Sequence, residues 1–305
     1  MHASASKLPD SVDFLEHLNS VAQDVEARLS TLIAQPSGHQ SKIMEAARYA
    51  ALGGGKRLRP FLVLETTRML GGPLDIALSA GCALECLHVY SLIHDDLPCM
   101  DDDDLRRGKP TVHKAYDEAM AVLAGDGLLT HSFELLARED VHPNADIRLE
   151  LISGLAKAGG TQGMIGGQVI DISVSESDRD EALITQLQDL KTGALIEYAV
   201  TAGATLAGAS KTEHKALQNY ARDMGLAFQI KDDILDVEGD ADIVGKAVGK
   251  DENLGKATFV SILGLEGARE KAAELGIRAK SHLEPFGKTA QTLCDTVDFV
   301  LNRTH

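Results

Sequence analysis

The 305-residue chain is long enough to bury a large core, and its formal net charge of −16 argues against nucleic acids and anionic membranes as partners. Its four cysteines show no CxxC spacing, which fits a reducing compartment. The first ten residues lack the apolar core of a signal peptide, and the run 194–209, which carries Glu197, falls short of a membrane span. We therefore expect a soluble, cytoplasmic protein.

Almost every periodic segment of the sequence predicts a helix. The predicted helices cover, in order, 10–32, 41–52, 60–70, 74–96, 117–138, 145–158, 181–207, 213–237, 258–275 and 290–302. The segment 74–96 is apolar on nearly all sides, which is typical of a helix in the middle of a bundle. The stretch 169–174 alternates like a strand but is short, so we predict an irregular helix end there. No linker or composition shift divides the chain, which predicts one all-α domain over 1–305.

An acidic stretch organises the chain. Six of the ten residues from 95 to 104 are aspartates, and Arg106 and Arg107 follow directly. Carboxylates this close repel one another unless a cation lies among them. They suit Mg²⁺, which keeps waters and phosphate oxygens as its other ligands, while arginine forks match phosphate oxygens. The stretch therefore predicts a Mg²⁺-diphosphate site, and a solvated acidic loop is the alternative.

Pro98 predicts the local geometry of this stretch. Proline disfavours helical geometry in the residue before it. Asp95 and Asp96 are therefore expected to close a helix, and the chain is expected to loop Asp101 back toward them. On a regular helix, the six-residue spacing from Asp95 to Asp101 would point the two carboxylates apart.

A second aspartate motif lies 137 residues later, at 232 against 95. Asp232, Asp233 and Asp236 occupy positions i, i+1 and i+4, which share one face of a helix. Gln229 falls on the same face and is a candidate active-site residue. Two such motifs, each after an apolar helix, point to a shared site far more strongly than one does.

A basic segment follows three glycines at 53–55 and contains Lys56, Arg57 and Arg59. A phosphate-binding P-loop would need Ser or Thr after the lysine, so that motif is absent. The segment predicts a second diphosphate clamp that needs no metal, and a basic helix start is the alternative. Glycines just before the cations let the backbone approach an anion closely, which favours the clamp.

Other polar residues have both a functional and a structural interpretation. His88 lies two helical turns before Asp95, so it is either a ligand contact or a buried core histidine. Lys191 and Thr192 place a cation and a hydroxyl in a helical run, where a surface lysine is the alternative. Lys246 and Lys256 follow the second motif in a glycine-rich segment. They are either solvated loop lysines or part of a lid that closes over a bound diphosphate.

These motifs together resemble the trans-isoprenyl diphosphate synthases, and in particular their bacterial farnesyl diphosphate synthase members. The matching stretches are 54–60, 90–108, 191–193 and 228–236. The similarity extends from about residue 40 to the C-terminus. It implies an isoprenoid-synthase-type fold, a large helical bundle in which the two aspartate motifs face each other across a central cavity.

The resemblance also implies roles for individual residues. Three Mg²⁺ ions would hold an allylic diphosphate on the two motifs, whose metal-binding set is Asp95, Asp96, Asp101, Asp232 and Asp236. The cations completing that clamp would be Arg106, Lys191, Lys246 and Lys256. Isopentenyl diphosphate would bind to Lys56, Arg59, His88 and Arg107. The catalytic set is Lys191 with Thr192 and Gln229, which would offer oxygen dipoles to an allylic cation.

Product length is implied by the residues just before the first motif. In the family a bulky aromatic at the position of Tyr90 acts as a floor that stops elongation at fifteen carbons, and Ser91 is a second size-determining position. Tyr90 lies about 7.5 Å deeper than Asp95 on a helix that rises 1.5 Å per residue. A core aromatic with a hydrogen-bonded hydroxyl is the alternative.

The sequence therefore predicts a Mg²⁺-dependent prenyltransferase that joins dimethylallyl and then geranyl diphosphate to isopentenyl diphosphate, giving farnesyl diphosphate. A geranylgeranyl diphosphate synthase is the nearest alternative. A class I terpene cyclase would need no second diphosphate clamp, and a non-catalytic prenyl synthase subunit would be expected to have lost motif residues. The family suggests a homodimer.

Overall fold

The computed structural model describes residues 11–174, 180–238 and 258–303, and most of them are helical. The helices are α1 (Ser11–Leu32), α2 (Ser41–Ala51), α3 (Leu58–Met69), α4 (Leu74–Asp95), α5 (Val112–Ala115), α6 (Glu118–Ala137), α7 (Ala145–Gly159), α8 (Met164–Ser173), α9 (Glu181–Gln188), α10 (Ala194–Leu206), α11 (Lys211–Glu238), α12 (Phe259–Leu283) and α13 (Gln291–Asn302). A π-helical turn, Asp189–Gly193, joins α9 to α10, and a 3₁₀ segment, Glu284–Ala290, precedes α13. The predicted all-α bundle is confirmed.

Helix α4 lies at the centre of the bundle, as its all-round apolar sequence predicts. It packs against α1, α2, α3, α6 and α10. Among the described residues it is the helix long and apolar enough to cross a membrane, but 72% of its most apolar window is buried inside the protein. Its composition is therefore explained by its place in the core. The first aspartate motif begins where this rigid helix ends, which fixes the position of the motif.

Three features differ from the sequence predictions. The stretch 169–174, predicted as an irregular helix end, is a helix end, but residues 169–173 are a regular part of α8 and Val174 is its extended C-cap. The predicted single helix 181–207 is instead α9, the π-helical turn and α10. An unpredicted hairpin pairs β1 (Leu105–Arg106) with β2 (Lys109–Pro110).

The hairpin is closed by a two-residue turn in which both residues have left-handed backbone geometry. Arg107 has φ 53° and Gly108 has φ 74°. Such turns match the right-handed twist of paired strands. Arg106, before the turn, donates to Asp96, whereas Arg107, in the turn, donates to the Gly54 carbonyl oxygen. The turn thus separates Arg106 from Arg107, which leave the hairpin in different directions toward different partners.

A buried ionic cluster anchors the basic segment 54–59. The Arg57 guanidinium donates to Glu85 Oε1 on α4 and to Glu26 Oε2 on α1, each at 2.6 Å, and to the Ala51 carbonyl oxygen. Burial lowers the pKa of Arg57, but the Glu85 and Glu26 carboxylates outweigh that effect and raise it above its usual value. Arg57 therefore remains a cation and ties α1, α2 and α4 to the start of α3.

We expect Glu85→Gln to lower the free energy of unfolding by about 3 kcal/mol, because it removes half the compensation of a buried cation. The side chains of Arg57 and Glu85 are only 1% and 2% exposed. Denaturant unfolding would measure the change. Glu266→Gln is the matched control, since Glu266 is 77% exposed and pairs with Arg269 at the surface. That control should change stability by less than about 1 kcal/mol, and equal effects of the two variants would contradict the anchoring role.

Candidate active site

The first aspartate motif is a tight loop at the C-terminal end of α4. The Asp101 amide donates to the Asp95 carbonyl oxygen at 2.9 Å, and the Asp103 amide donates to the Asp96 carbonyl oxygen at 3.2 Å. Asp102 adopts a left-handed backbone with φ 50° to allow this reversal. The predicted helix end and the return of Asp101 toward Asp95 are both confirmed. Strained backbone of this kind is concentrated at functional sites.

Asp96 holds Arg106 in place. Its carboxylate, in a residue only 3% exposed, accepts two hydrogen bonds from Arg106 Nε at 2.7 and 2.9 Å. Asp96 Oδ1 also lies 2.5 Å from Arg106 Nη2. This pair fastens the hairpin to the end of α4. We therefore expect Asp95 and Asp101, rather than Asp96, to offer the metal contacts of this motif.

Asp95 and Lys191 interact across the site. Burial is the largest effect on Asp95 and raises its pKa to about 6, with Lys191 and Arg106 opposing it and Asp101 and Asp96 adding to it. Burial lowers the pKa of Lys191, but Asp171, Asp95 and Asp101 reverse the shift and raise it. Lys191 Nζ donates to Asp171 Oδ2 at 2.6 Å. A charged ammonium thus lies between α8 and the first motif.

The second motif lies near the end of α11, where its aspartates have different partners. Asp232 is 44% exposed and lies 2.8 Å from Arg303 Nη2. Asp233 is buried and accepts from the Phe259 amide at 2.8 Å, so it fixes the start of α12. Asp236 lies one turn beyond Asp232, on the face that the sequence predicts. Asp232 therefore has the accessible carboxylate that a metal would need.

The donor set fits Mg²⁺ that arrives with a diphosphate. Among the described residues, no three His, Cys, Asp or Glu side chains converge on one point as a preformed metal cage. Mg²⁺ does not need such a cage, because it usually binds one or two carboxylates and completes its shell with waters and substrate phosphates. The half-buried Asp95 and Asp101 have the hard oxygen donors that this mode requires.

A separate cationic cluster lies at the start of α3. Arg59 Nη1 donates to His88 Nε2 at 3.2 Å, since a guanidinium has no acceptor. Burial and the neighbouring Arg59 and Arg107 guanidinium groups hold the pKa of His88 well below its usual range, so the ring is neutral. Burial and Arg303 likewise lower the pKa of Lys56, although Asp232 opposes them. Burying several cations side by side is unfavourable, because each loses water and repels the others. Such a cluster therefore indicates a site that binds an anion.

Arg107 joins this cluster from the hairpin, and backbone geometry makes room for it. A Cβ on Gly55, which has φ 120°, would lie 2.6 Å from Arg107 Cζ. Arg107 also donates to the Gly54 carbonyl oxygen. The glycines before Lys56 thus allow the Arg107 guanidinium to pack onto the backbone, whereas the predicted approach of an anion to these glycines stays a prediction.

Thr192 and Gln229 lie around the π-helical turn. Gln229 Nε2 donates to Gln188 Oε1 at 2.8 Å, which connects α11 to the end of α9. The turn itself contains Lys191 and Thr192, and π-helical insertions are frequent at functional sites. Lys246 and Lys256, the predicted lid lysines, lie outside the described residues.

Tyr90 is buried on α4, one turn before the aspartate loop. Its ring packs edge-on against His94 with the centroids 5.1 Å apart, and its hydroxyl makes no hydrogen bond within the described ranges. The Ser91 hydroxyl donates to the His88 carbonyl oxygen at 2.8 Å. Tyr90 is thus a core aromatic by its burial, and the product-length role of Tyr90 and Ser91 stays a prediction.

Sequence reasoning missed two side chains that complete the site. Arg303 is only 7% exposed, lies 3.8 Å from the Phe228 ring centroid and pairs with Asp232. Asp171 holds Lys191. A buried aspartate in the 164–173 segment and an arginine after the last helix carry no local motif, so no signal in the sequence singles them out.

Comparison with known proteins identifies the family. A family model described as polyprenyl synthetase matches residues 40–287. The chain belongs to the polyprenyl synthetase family. A farnesyl diphosphate synthase of Geobacillus stearothermophilus is 44% identical to it, over 95% of this chain and 98% of the relative. A geranylgeranyl diphosphate synthase of Cyanophora paradoxa is 41% identical, over 98% of this chain and 99% of the relative.

Solved structures of polyprenyl synthetases agree with this assignment. A crystal structure described as an FPP/GFPP synthase from Zymomonas mobilis has a TM-score of 0.85 and 45% identity, and the match covers 96% of this chain and all of that one. The chain is thus a short-chain trans-prenyltransferase of this family. Relatives with different product lengths are similarly close, so similarity alone leaves the product length open.

Proposed function

We propose that this protein is a Mg²⁺-dependent farnesyl diphosphate synthase that adds isopentenyl diphosphate to dimethylallyl and then to geranyl diphosphate. One observation carries the proposal. The site residues fall into two chemically distinct sets, which we call poles: the carboxylates Asp95 and Asp101 of the loop after α4 with Asp232 on α11, and the cationic cluster in which Arg59 contacts His88. Two diphosphates that must be held apart, one through metal and one without it, account for both poles.

The carboxylate pole and Lys191 hold the allylic substrate. When bound, Mg²⁺ neutralises the diphosphate and makes it a better leaving group. Lys191 and Arg106 add fixed positive charge on the same side, and their positions are set beforehand by Asp171 and Asp96. Charge placed in advance where negative charge develops lowers the barrier to breaking the allylic C–O bond. The electron pair of that bond leaves with the diphosphate.

The cationic pole holds isopentenyl diphosphate so that its double bond faces the allylic carbon. Those π electrons form the new C–C bond, and a proton then leaves the adjacent carbon for the released diphosphate. We assign Thr192 and Gln229 the role of offering oxygen dipoles to the allylic cation, because Thr192 is in the π-helical turn with Lys191 and Gln229 contacts the helix that leads into that turn. The neutral His88 ring supports this arrangement, because an imidazolium there would repel Arg59.

Farnesyl diphosphate is proposed as the product because of Tyr90. The Tyr90 ring is buried and packs against His94, and we propose that it forms the floor that stops elongation at fifteen carbons. A geranylgeranyl diphosphate synthase is the second candidate, and the 41% identical Cyanophora paradoxa relative supports it. The cyclase and subunit alternatives fit less well, because the cationic pole would then have no substrate and both aspartate motifs are intact.

We further propose that the chain forms a single domain, acts in the cytoplasm and pairs as a homodimer. Val122 and Leu123 on α6 are 40% and 45% exposed, and a second copy of α6 is a suitable partner for them. Sedimentation of the purified protein at several concentrations tests this pairing. A monomer at every concentration would contradict it.

Chromatography of dephosphorylated products tests the proposed function. The purified protein, labelled isopentenyl diphosphate, Mg²⁺ and either allylic substrate should give a C15 alcohol as the main end product. Accumulation of C20 or longer alcohols would contradict the product assignment. Formation of a hydrocarbon from geranyl diphosphate alone would contradict prenyl transfer altogether.

We expect Arg59→Ala to raise the KM for isopentenyl diphosphate by about 10- to 150-fold, because a charge-assisted contact to phosphate is worth roughly 1.5–3 kcal/mol. The KM for geranyl diphosphate should change little. Steady-state kinetics with each substrate varied in turn would measure both. Arg68→Ala is the matched control, since Arg68 lies on the same helix with a 42% exposed side chain. Equal effects of Arg59→Ala on the two substrates would place Arg59 outside a dedicated site.

A further inference from the structure

Gln168 on α8 is a half-buried residue whose amide group is buried, and the mechanism above does not use it. Its amide nitrogen and amide oxygen each expose less than 1 Å² and have no hydrogen-bond partner among the described residues. Buried side-chain amides in folded proteins are almost always paired, because an unpaired one loses its bonds to water without replacement. Both amide atoms of Gln168 therefore lack a hydrogen-bond partner in the ligand-free protein, which indicates that a bound ligand supplies the partner.

The position of Gln168 indicates which partner that is. It lies three residues before Asp171, so the two side chains share one face of α8. Asp171 Oδ2 accepts from Lys191 Nζ at 2.6 Å on that face. A Cβ on Gly167 would lie 2.3 Å from the Lys191 backbone nitrogen, so α8 packs directly onto the π-helical turn. Gln168 thus belongs to the wall that holds Lys191 beside Asp95 and Asp101.

The missing partner must be polar. A prenyl tail has no donor or acceptor and would leave the amide as it is. The diphosphate end of the allylic substrate, with its metal-bound waters, offers both acceptors and donors. An amide can serve both at once, since it donates from nitrogen and accepts at oxygen.

We propose that Gln168 is a positioning residue of the allylic site, whose amide donates to a diphosphate oxygen and accepts from a metal-bound water. This inference rests on the proposed function and adds to it a residue that orients the leaving group. In the ligand-free protein the amide lacks a partner, so removing it should leave the fold as stable as before or more stable. In the complex the amide is paired, so removing it should weaken binding.

The test compares wild type with Gln168→Met, which keeps a similar volume and removes the amide. Thermal unfolding without ligand should occur at the wild-type temperature or slightly above it. Calorimetric titration with Mg²⁺ and geranyl diphosphate, without isopentenyl diphosphate, should show affinity lower by about 10-fold or more. Mg²⁺ with inorganic pyrophosphate should show the same loss, because the contact is with the diphosphate end. In steady-state kinetics, Gln168→Met should have a higher KM than wild type for the allylic substrate and an unchanged KM for isopentenyl diphosphate.

Val169→Met is the matched control, because Val169 is the next residue of α8 and is 53% exposed. It should behave like wild type in every measurement. A lower unfolding temperature for Gln168→Met than for this control would overturn the proposal, since it would show a partner within the protein. Unchanged binding of either probe would also overturn it. If wild type itself bound neither probe, the proposed function would fail, which is a different outcome from a wild type that binds and a variant that binds equally well.

Discussion

Asp95→Ala and Asp232→Ala are each expected to cut turnover by about 10³-fold or more, because metal stabilisation of the departing diphosphate is worth several kcal/mol. Asp95 is the half-buried last residue of α4, and Asp232 has the accessible carboxylate of the second motif. The folded state should survive both changes, since each removes one of several repelling charges. Initial rates at saturating Mg²⁺, with a thermal melt of each variant, measure the two effects separately.

Asp104→Asn is the matched control for these variants. Asp104 belongs to the same acidic stretch, but its side chain is 75% exposed and pairs with Lys114 at 2.8 Å. It should retain near-normal turnover. If Asp95→Ala or Asp232→Ala turned over as fast as this control, the metal role assigned to that carboxylate would be wrong.

If Tyr90 is the floor of the product cavity, about 7.5 Å below the diphosphate site, Tyr90→Ala is expected to shift the end products from C15 to C20 and longer. The ring is 8% exposed and braced by His94, so its loss leaves a space that the surrounding helices fill only in part. Chromatography of dephosphorylated products at equal conversion would measure the shift.

Tyr90→Phe separates the ring from its hydroxyl. The Tyr90 hydroxyl has no hydrogen-bond partner in the described part of the chain, so this variant should keep the C15 product. A Tyr90→Ala protein that still stopped cleanly at C15 would contradict the floor hypothesis. So would a wild-type protein that already made C20.

The features that the sequence predicts well are those with local causes. Pro98 constrains the residue before it, which predicts that α4 ends near Asp96 and that the chain can turn there to bring Asp101 back. The all-round apolar character of 74–96 similarly predicts a central helix, and α4 occupies that place. The spacing of Asp232 and Asp236 needs only helical periodicity.

The features that the sequence predicts poorly depend on contacts between distant segments. The alternation at 169–174 suggested an irregular end, but Val169 and Ile172 are exposed residues of a regular helix, 53% and 60% accessible. The strands of the 105–110 hairpin have two residues each, too few to carry a pattern. The π-helical turn depends on α8 packing at Gly167, which no local rule encodes.

The sequence also does not predict which charged residues pair with each other. Asp96 and Asp101 have the same chemistry, yet Asp96 is buried against Arg106. Arg303 meets Asp232 across 71 residues, at 303 against 232, with no motif around it. Sequence spacing identifies the candidates for a charged site, whereas packing decides which of them pair with each other and which face the ligand.

The most direct test of the two-pole site is a crystal structure with Mg²⁺, isopentenyl diphosphate and an allylic thiolodiphosphate, whose C–S bond resists ionisation. The thiolodiphosphate should lie on Mg²⁺ held by Asp95, Asp101 and Asp232. The isopentenyl diphosphate should lie on Lys56, Arg59 and His88 without metal. The assignment would be contradicted if one of the aspartate motifs bound no metal, or if both diphosphates bound to the same pole.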